Sequence, residues 1–397
     1  AKPFCAAMLG GWHPGDGVIC GLAATYAKDS LILNWVCMCL LAAVFVFGFS
    51  GVVFHALYWP SSVTYEKWRW KTNPKYPSAE KVRDEVTQTV KGMGAAALCP
   101  AFALWLYAQG DDAPVRQYGY CGTAPEHGHG YNLLCFLIVW FVSDFWEFIY
   151  HRLGHSYPSM WTWHRHHHVF FNPSPFSVIA DEFVDQFMRS LPLVLFPMVM
   201  PMNLDILIFV FVVFFYGTGV YHHCGYELQW PNAHTGFFNT SYHHYLHHSI
   251  SVNKTPYHCG FVFQFWDQVF DNCYKGKCFC VLCSQKQGLR TREQFEAVEI
   301  PEYGKLLRPS FWFSTNLLLA LIPGLARYTA EDSNEELAEE LRKRSLEAED
   351  VAKAETASTA STGSTASTGE PTPRAAPAAR HSRSASPAPT ASEREES

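Results

Sequence analysis

Residues 31–58, LILNWVCMCLLAAVFVFGFSGVVFHALY, form an unbroken stretch without Asp, Glu, Lys or Arg. At about 1.5 Å per residue, a helix of this length exceeds the roughly 30 Å hydrocarbon layer of a bilayer. This run predicts a membrane span and argues against a compact water-soluble domain. Two more runs follow, GMGAAALCPAFALWLYAQ at 92–109 and YNLLCFLIVWFVSDFWEFIY at 131–150, the latter carrying Asp144 and Glu147 near its inner end. Pro100 is tolerable within a span. A fourth apolar block, 189–221, is broken by Pro197, Pro201, Asn203 and Asp205. It predicts a helical hairpin whose first limb is short for a span, so that it enters the bilayer and returns.

Charge sets the orientation and excludes some partners. Of 36 acidic and 30 basic residues, 14 and 8 lie beyond residue 330, which leaves the body neutral. A neutral body without a strong basic face argues against nucleic acid as a partner. Residues 59–91 carry Lys67, Arg69, Lys71, Lys75, Lys81, Arg83 and Lys91, whereas 110–130 carry only Arg116. The positive-inside rule puts the first of these loops in the cytoplasm and the second in a lumen or outside. The third span then emerges on the cytoplasmic side near residue 150, and the hairpin returns the chain there near residue 221.

Both segments that emerge there are rich in histidine. Of 19 histidines, 14 fall between His151 and His258. Three boxes stand out: His151-Arg-Leu-Gly-His155, His164-Arg-His-His167-His168 and His244-Tyr-Leu-His247-His248. Residues three and four apart share a helix face, so each box is expected to present its imidazoles at one spot. Imidazole suits iron, zinc, copper or nickel. Eight imidazoles are too many for one ion and suit two, with His223 as a ninth candidate. His166 and His243 lie off the shared faces. Asp144 and Glu147 align with His151 and His155 on one helix face. They either hydrogen-bond the ligating imidazoles or mark the membrane–water boundary.

The sequence HRLGH, WHRHHH, HHCGYE and HHYLHH, followed by FWDQVF, resembles the fatty acid hydroxylase/sterol desaturase superfamily over roughly residues 35–285. KYPSAEKVRDEV, before the second span, is similar to the sterol desaturase branch. The resemblance implies a membrane di-iron oxidoreductase of the endoplasmic reticulum. Such an enzyme uses O2 and takes electrons from NAD(P)H through cytochrome b5 and its reductase. It would hydroxylate or desaturate a lipid, above all a sterol, in the manner of a C-5 desaturase or methyl oxidase. The implied ligands of the two irons are His151, His155, His164, His167, His168, His223, His244, His247 and His248. Further candidates for a ligand, or for a group hydrogen-bonded to one, are His222, His258, Asp144, Glu147, Asn253 and Asp267; Trp266 and Asp267 match the family's WD. The chain departs from the family at Asn253 to Gly260 and at Phe270-Asp271. The competing reading is a non-catalytic membrane scaffold or lipid-binding protein of the same fold.

The expected architecture is an all-α integral membrane protein with three spans and an apolar helical hairpin. A cytoplasmic histidine-lined helical cap and a disordered C-terminal tail complete it. The divisions expected are a lumenal segment 1–30, a catalytic membrane domain 31–285, a region 286–330 with an interfacial helix at 309–323, and a charged helix with an Ala/Ser/Thr/Pro tail at 331–397. Composition of the last kind cannot bury a core. No nucleophile elbow, P-loop or dinucleotide fingerprint is present, so NAD(P)H is expected on a partner. Two cysteine sets remain. Cys5, Cys20 and Cys121 fall on the expected lumenal side, where a disulfide is possible and no spacing fixes the pairing. Cys273, Cys278, Cys280 and Cys283 permit a zinc site, palmitoylation or unmodified thiols.

Overall fold

The computed structural model describes residues 17–123, 127–251, 256–313 and 315–324. Asn253, Cys5 and the 331–397 segment lie outside them. After a short helix α1 (Ile19–Tyr26), α2 (Leu31–Tyr58) takes up the first uncharged run. Ser30 caps it by accepting the Leu33 N–H. Its outer face leaves Ile32 73%, Val44 70% and Val52 68% exposed, as befits contact with lipid rather than water.

The second span is longer than its uncharged run suggests. α3 (Ala79–Ala96) and α4 (Leu98–Gln109) continue one another within a 34-residue apolar helix, Ala79–Asp112. The helix starts earlier because the charges of α3 are buried within the protein. Lys91 pairs with Glu182 at 2.5 Å, and Glu85 accepts the Ser174 N–H at 3.1 Å. A search for uncharged stretches cannot see a span whose charges are satisfied inside the protein.

α5 (His129–Ser156) combines the third span with the first histidine box in one helix. It stops because Tyr157 precedes Pro158, which disfavours helical backbone at Tyr157, and Pro158 then opens α6 (Pro158–His168). The chain re-enters the apolar layer through α7 (Phe183–Arg189) and α8 (Pro192–Val199). It returns through α9 (Leu204–Phe209), a π-helical turn at Val210–Phe215 and α10 (Tyr216–His223). Together Leu204–His223 is long and apolar enough to be a fourth span.

The hairpin does not turn back part-way. Its tip, β2 (Met202–Asn203), pairs in parallel with β1 (Gly119–Tyr120) in the loop between the second and third spans. Beyond it the Asp205 carboxylate accepts the N–H groups of Val18, Ile19 and Cys20, each at 2.9 Å. A Cys20–Cys121 disulfide closes the same end. At the opposite end the loop after α2 meets the segment after α10, where Thr72 donates to the Gly225 carbonyl at 2.9 Å. The basic loop and the histidines therefore share one end of the bundle. α11 (Ser241–Ile250), begun by a Thr240/His243 capping box, completes the histidine cap, and α12 (Phe265–Val269) packs beside it. The 309–323 region forms two short helices, Pro309–Trp312 and Thr315–Ala320, rather than one.

Candidate metal centre

The nine imidazoles of the boxes and His223 are all buried and sort into two groups. His151 and His155 from α5, His164 and His168 from α6, and His247 from α11 form the first. His167 from α6, His223 from α10, and His244 and His248 from α11 form the second. Within each group, one ring nitrogen per residue lies within 4.8 Å of all the others. Boxes two and three are thus divided between groups instead of each facing one spot. Adjacent residues on a helix project about 100° apart, so His167 and His168, like His247 and His248, diverge.

Hydrogen bonds on the far side of the rings fix which nitrogen faces inward. The Nδ1 atoms of His151, His223 and His247 donate to the carbonyls of Cys259 (3.0 Å), Gly219 (2.8 Å) and Tyr257 (2.7 Å). His164 Nδ1 faces Asp185 at 2.9 Å, and His167 Nδ1 lies 3.0 Å from Asp181. A carbonyl or carboxylate only accepts, so His151, His164, His223 and His247 carry their proton on Nδ1 and present a bare Nε2 lone pair, whereas the His167–Asp181 approach lacks hydrogen-bond alignment. Yet His223 Nε2 lies 3.2 Å from His167 Nε2. The His223 lone pair there is satisfied either by a proton on His167 Nε2 or by a cation between the two rings.

The remaining spacings agree. His244 lies 2.9 Å from His223 and 3.1 Å from His248; His247 lies 3.1 Å from His168 and 3.3 Å from His155. Two nitrogens each about 2.1 Å from one ion, at right angles, would be about 3.0 Å apart. His151 Nε2 in the first group is buried without a hydrogen-bond partner among the described residues. Burial first, then the neighbouring imidazoles, holds His167, His168, His244 and His248 well below the usual histidine range. Burial likewise brings His247 down to about 3. Neutral imidazoles are what a metal ion requires. The donor set fits two ions of the iron or zinc class.

The other candidates lie around these groups rather than in them. Asp144 accepts the Val262 N–H (2.7 Å) and the Trp266 indole N–H (2.8 Å), pinning the strap that also holds His151. Asp267 accepts the Gly260 N–H at 2.9 Å. His222 faces the Asn239 carbonyl at 3.3 Å, and His258 accepts the Tyr274 N–H at 3.1 Å. Glu147 pairs with Arg189, whose Nη1 donates to Asp181 at 2.7 Å. The carboxylates beside imidazoles are therefore Asp181 and Asp185, not the aligned Asp144 and Glu147. Sequence reasoning missed Asp181, Asp185 and Arg189. Their signal was DEFVDQFMR, three acids and a base at the mouth of the hairpin.

Comparison with known proteins agrees with this geometry. Residues 136–272 match the fatty acid hydroxylase family. Lathosterol oxidase of Rattus norvegicus is 29% identical over 121 residues, which is 30% of this chain and 37% of that enzyme. No solved structure matches. The matched segment contains every histidine of both groups, and the two comparisons support the fatty acid hydroxylase/sterol desaturase superfamily.

Proposed function

We propose that this protein is an O2-dependent, non-haem di-iron oxidoreductase that hydroxylates or desaturates a membrane lipid, with a sterol as the favoured substrate. The observation that carries the reading is the pair of buried histidine groups, each with one ring nitrogen per residue converging on one spot. His151, His155, His164, His168 and His247 would hold one iron, and His167, His223, His244 and His248 the other. Bound there, the irons supply O2 activation and the oxidation of an unactivated C–H bond. The residues of the chain fix ring orientation through Asp181, Asp185 and the three carbonyls, and keep the rings neutral and dry.

An apolar cleft of about 150 Å³ supports a lipid substrate. Met38, Phe45, Met93, Phe211 and Phe215 line it between the spans, and Glu147, Gln186 and Arg189 add polar groups to its wall. Gln186 Oε1 is buried there without a partner among the described residues, an acceptor suited to a hydroxyl such as a sterol carries. The likeness to lathosterol oxidase supports the same choice.

The catalytic unit comprises residues 31–285 in the endoplasmic reticulum membrane, with the histidine end facing the cytoplasm. Basic residues at that end and a disulfide at the other support this orientation, because disulfides persist in oxidising compartments. Electrons arrive from NAD(P)H through cytochrome b5 and its reductase. The test is a lipid and sterol profile of a host expressing the chain, beside a His244→Ala/His247→Ala/His248→Ala version. A product lighter by two hydrogens or heavier by one oxygen, made only with intact boxes, is the expected result. Identical profiles from two folded, inserted proteins supplied with cytochrome b5 would point instead to a non-catalytic scaffold.

A further inference from the structure

A second kind of donor cluster lies outside both histidine groups. Residues 278–283 read Cys-Phe-Cys-Val-Leu-Cys, and all three cysteines are free thiols. The chain folds so that His234, 44 residues before the first of them, joins the cluster. An Asn232–Thr235 turn presents His234, whose N–H donates to Asn232 Oδ1 at 2.9 Å. His234 Nε2 lies 3.4 Å from Cys280 Sγ and 3.5 Å from Cys283 Sγ, and all four donor atoms are within 4.8 Å of one another. The fourth cysteine of the motif, Cys273, is not among them.

We propose that His234, Cys278, Cys280 and Cys283 form a structural zinc site, distinct from the histidine centre. Three sulfurs and one imidazole are a Cys3His set, the kind that closes around zinc with no open position. With Zn–S near 2.3 Å and Zn–N near 2.05 Å, a tetrahedral ion sets N and S about 3.6 Å apart. The two His234 contacts match that edge before any ion is added. The Cys283 N–H also donates to Cys280 Sγ at 3.4 Å, which stabilises a thiolate there. Binding Zn²⁺ takes the protons from three thiols and releases them to solvent, while the imidazole binds neutral.

The site would act as a clasp on α11. Cys280 packs against Tyr242 and Leu246 of that helix, and the Phe279 N–H donates to the Tyr242 hydroxyl at 2.8 Å. His243 of the same helix faces the Ala233 carbonyl, next to His234, at 3.1 Å. Zinc would thus join the two loops that flank the helix carrying His244, His247 and His248.

The experiment is zinc K-edge absorption on the full-length protein purified from membranes and loaded with zinc. Imidazole groups give only nitrogen neighbours, so a sulfur shell at about 2.3 Å reports this site alone. The expected result is that shell, together with one zinc per chain fewer in Cys283→Ser and in His234→Ala, with the metal of the histidine groups retained. A wild-type spectrum without sulfur scattering would overturn the proposal. So would recovery of Cys278, Cys280 and Cys283 as a disulfide or a lipid thioester, or N-ethylmaleimide labelling them equally fast with and without zinc. These readouts use the unaltered protein and do not depend on a variant folding.

Discussion

Replacing Arg189 with Met tests how the membrane cleft and the histidine groups are joined. The guanidinium donates from Nε to Glu147 at 2.7 Å, makes a second, shorter contact with the same carboxylate, and donates from Nη1 to Asp181. Asp181 is fully buried and the Glu147 side chain 9% exposed. Removing one partner of a buried ion pair leaves uncompensated charge and costs about 3–5 kcal/mol. Here it leaves two carboxylates without the guanidinium they share. Asp181 must then take up a proton or turn away, and either change alters the carboxylate that lies 3.0 Å from His167 Nδ1. Loss of such a partner lowers metal affinity by about 10–100-fold. Thermal unfolding and metal retention against a chelator measure the two effects. Adding Glu147→Gln should recover part of the loss, because one orphaned charge disappears. That recovery should exceed about 0.5 kcal/mol in a double-mutant cycle. Additive losses in the double variant, or unchanged metal retention in Arg189→Met, would refute the coupling.

Two further outcomes follow from the same cap. Gly92→Ala should destabilise the protein by about 1–3 kcal/mol, as overpacking does, and lower its metal content. A Cβ there would sit 1.9 Å from the Ile179 carbonyl oxygen, so the Ile179–Asp181 segment must move. Unchanged melting and metal content would show that the backbone yields without disturbing Asp181. The metal-stripped protein should lose stability on acidification. His167, His168, His244, His247 and His248 are held below the ordinary value of 6.5, so below that pH the unfolded chain binds more protons than the folded one. Their contribution is complete above pH 6.5 and falls as pH drops toward the folded values, by up to ~1.4 kcal/mol per histidine per pH unit. Thermal midpoints that stay flat between about pH 7 and about pH 5.5 would contradict neutral burial of these rings.

Local patterns of this site were legible in the sequence, and folded-back contacts were not. The histidine spacing gave the donors because three- and four-residue intervals have a fixed meaning on a helix. The division between groups was hidden, since it depends on where α5, α6, α10 and α11 cross. Asp144 lay on the expected face, but the strap after box three reaches it first, through Val262 and Trp266. Asp181 and Asp185 meet His167 and His164 only because the chain doubles back after α6. His234 is the extreme case, since no interval within CYKGKCFCVLC points to a histidine 44 residues upstream. The early start of the second span was concealed by Lys91, whose charge is answered by a residue 91 positions away.

The wide turn at Val210–Phe215 sets the phase of everything that follows it. A π-helical turn holds more residues than an α turn, so the fourth span leaves it rotated relative to a regular helix. His223 and its neighbour His222 differ by about 100° of azimuth; His223 puts Nε2 3.2 Å from that of His167 and 2.9 Å from that of His244, while His222 only stacks its ring on His244. Wound as regular α-helix, the same six residues would leave the span without its irregularity. It would also turn His223 away by about that angle. The irregular turn is thus an indexing mark: an apparent defect in the span, eight residues before the site, selects which of two adjacent histidines arrives there.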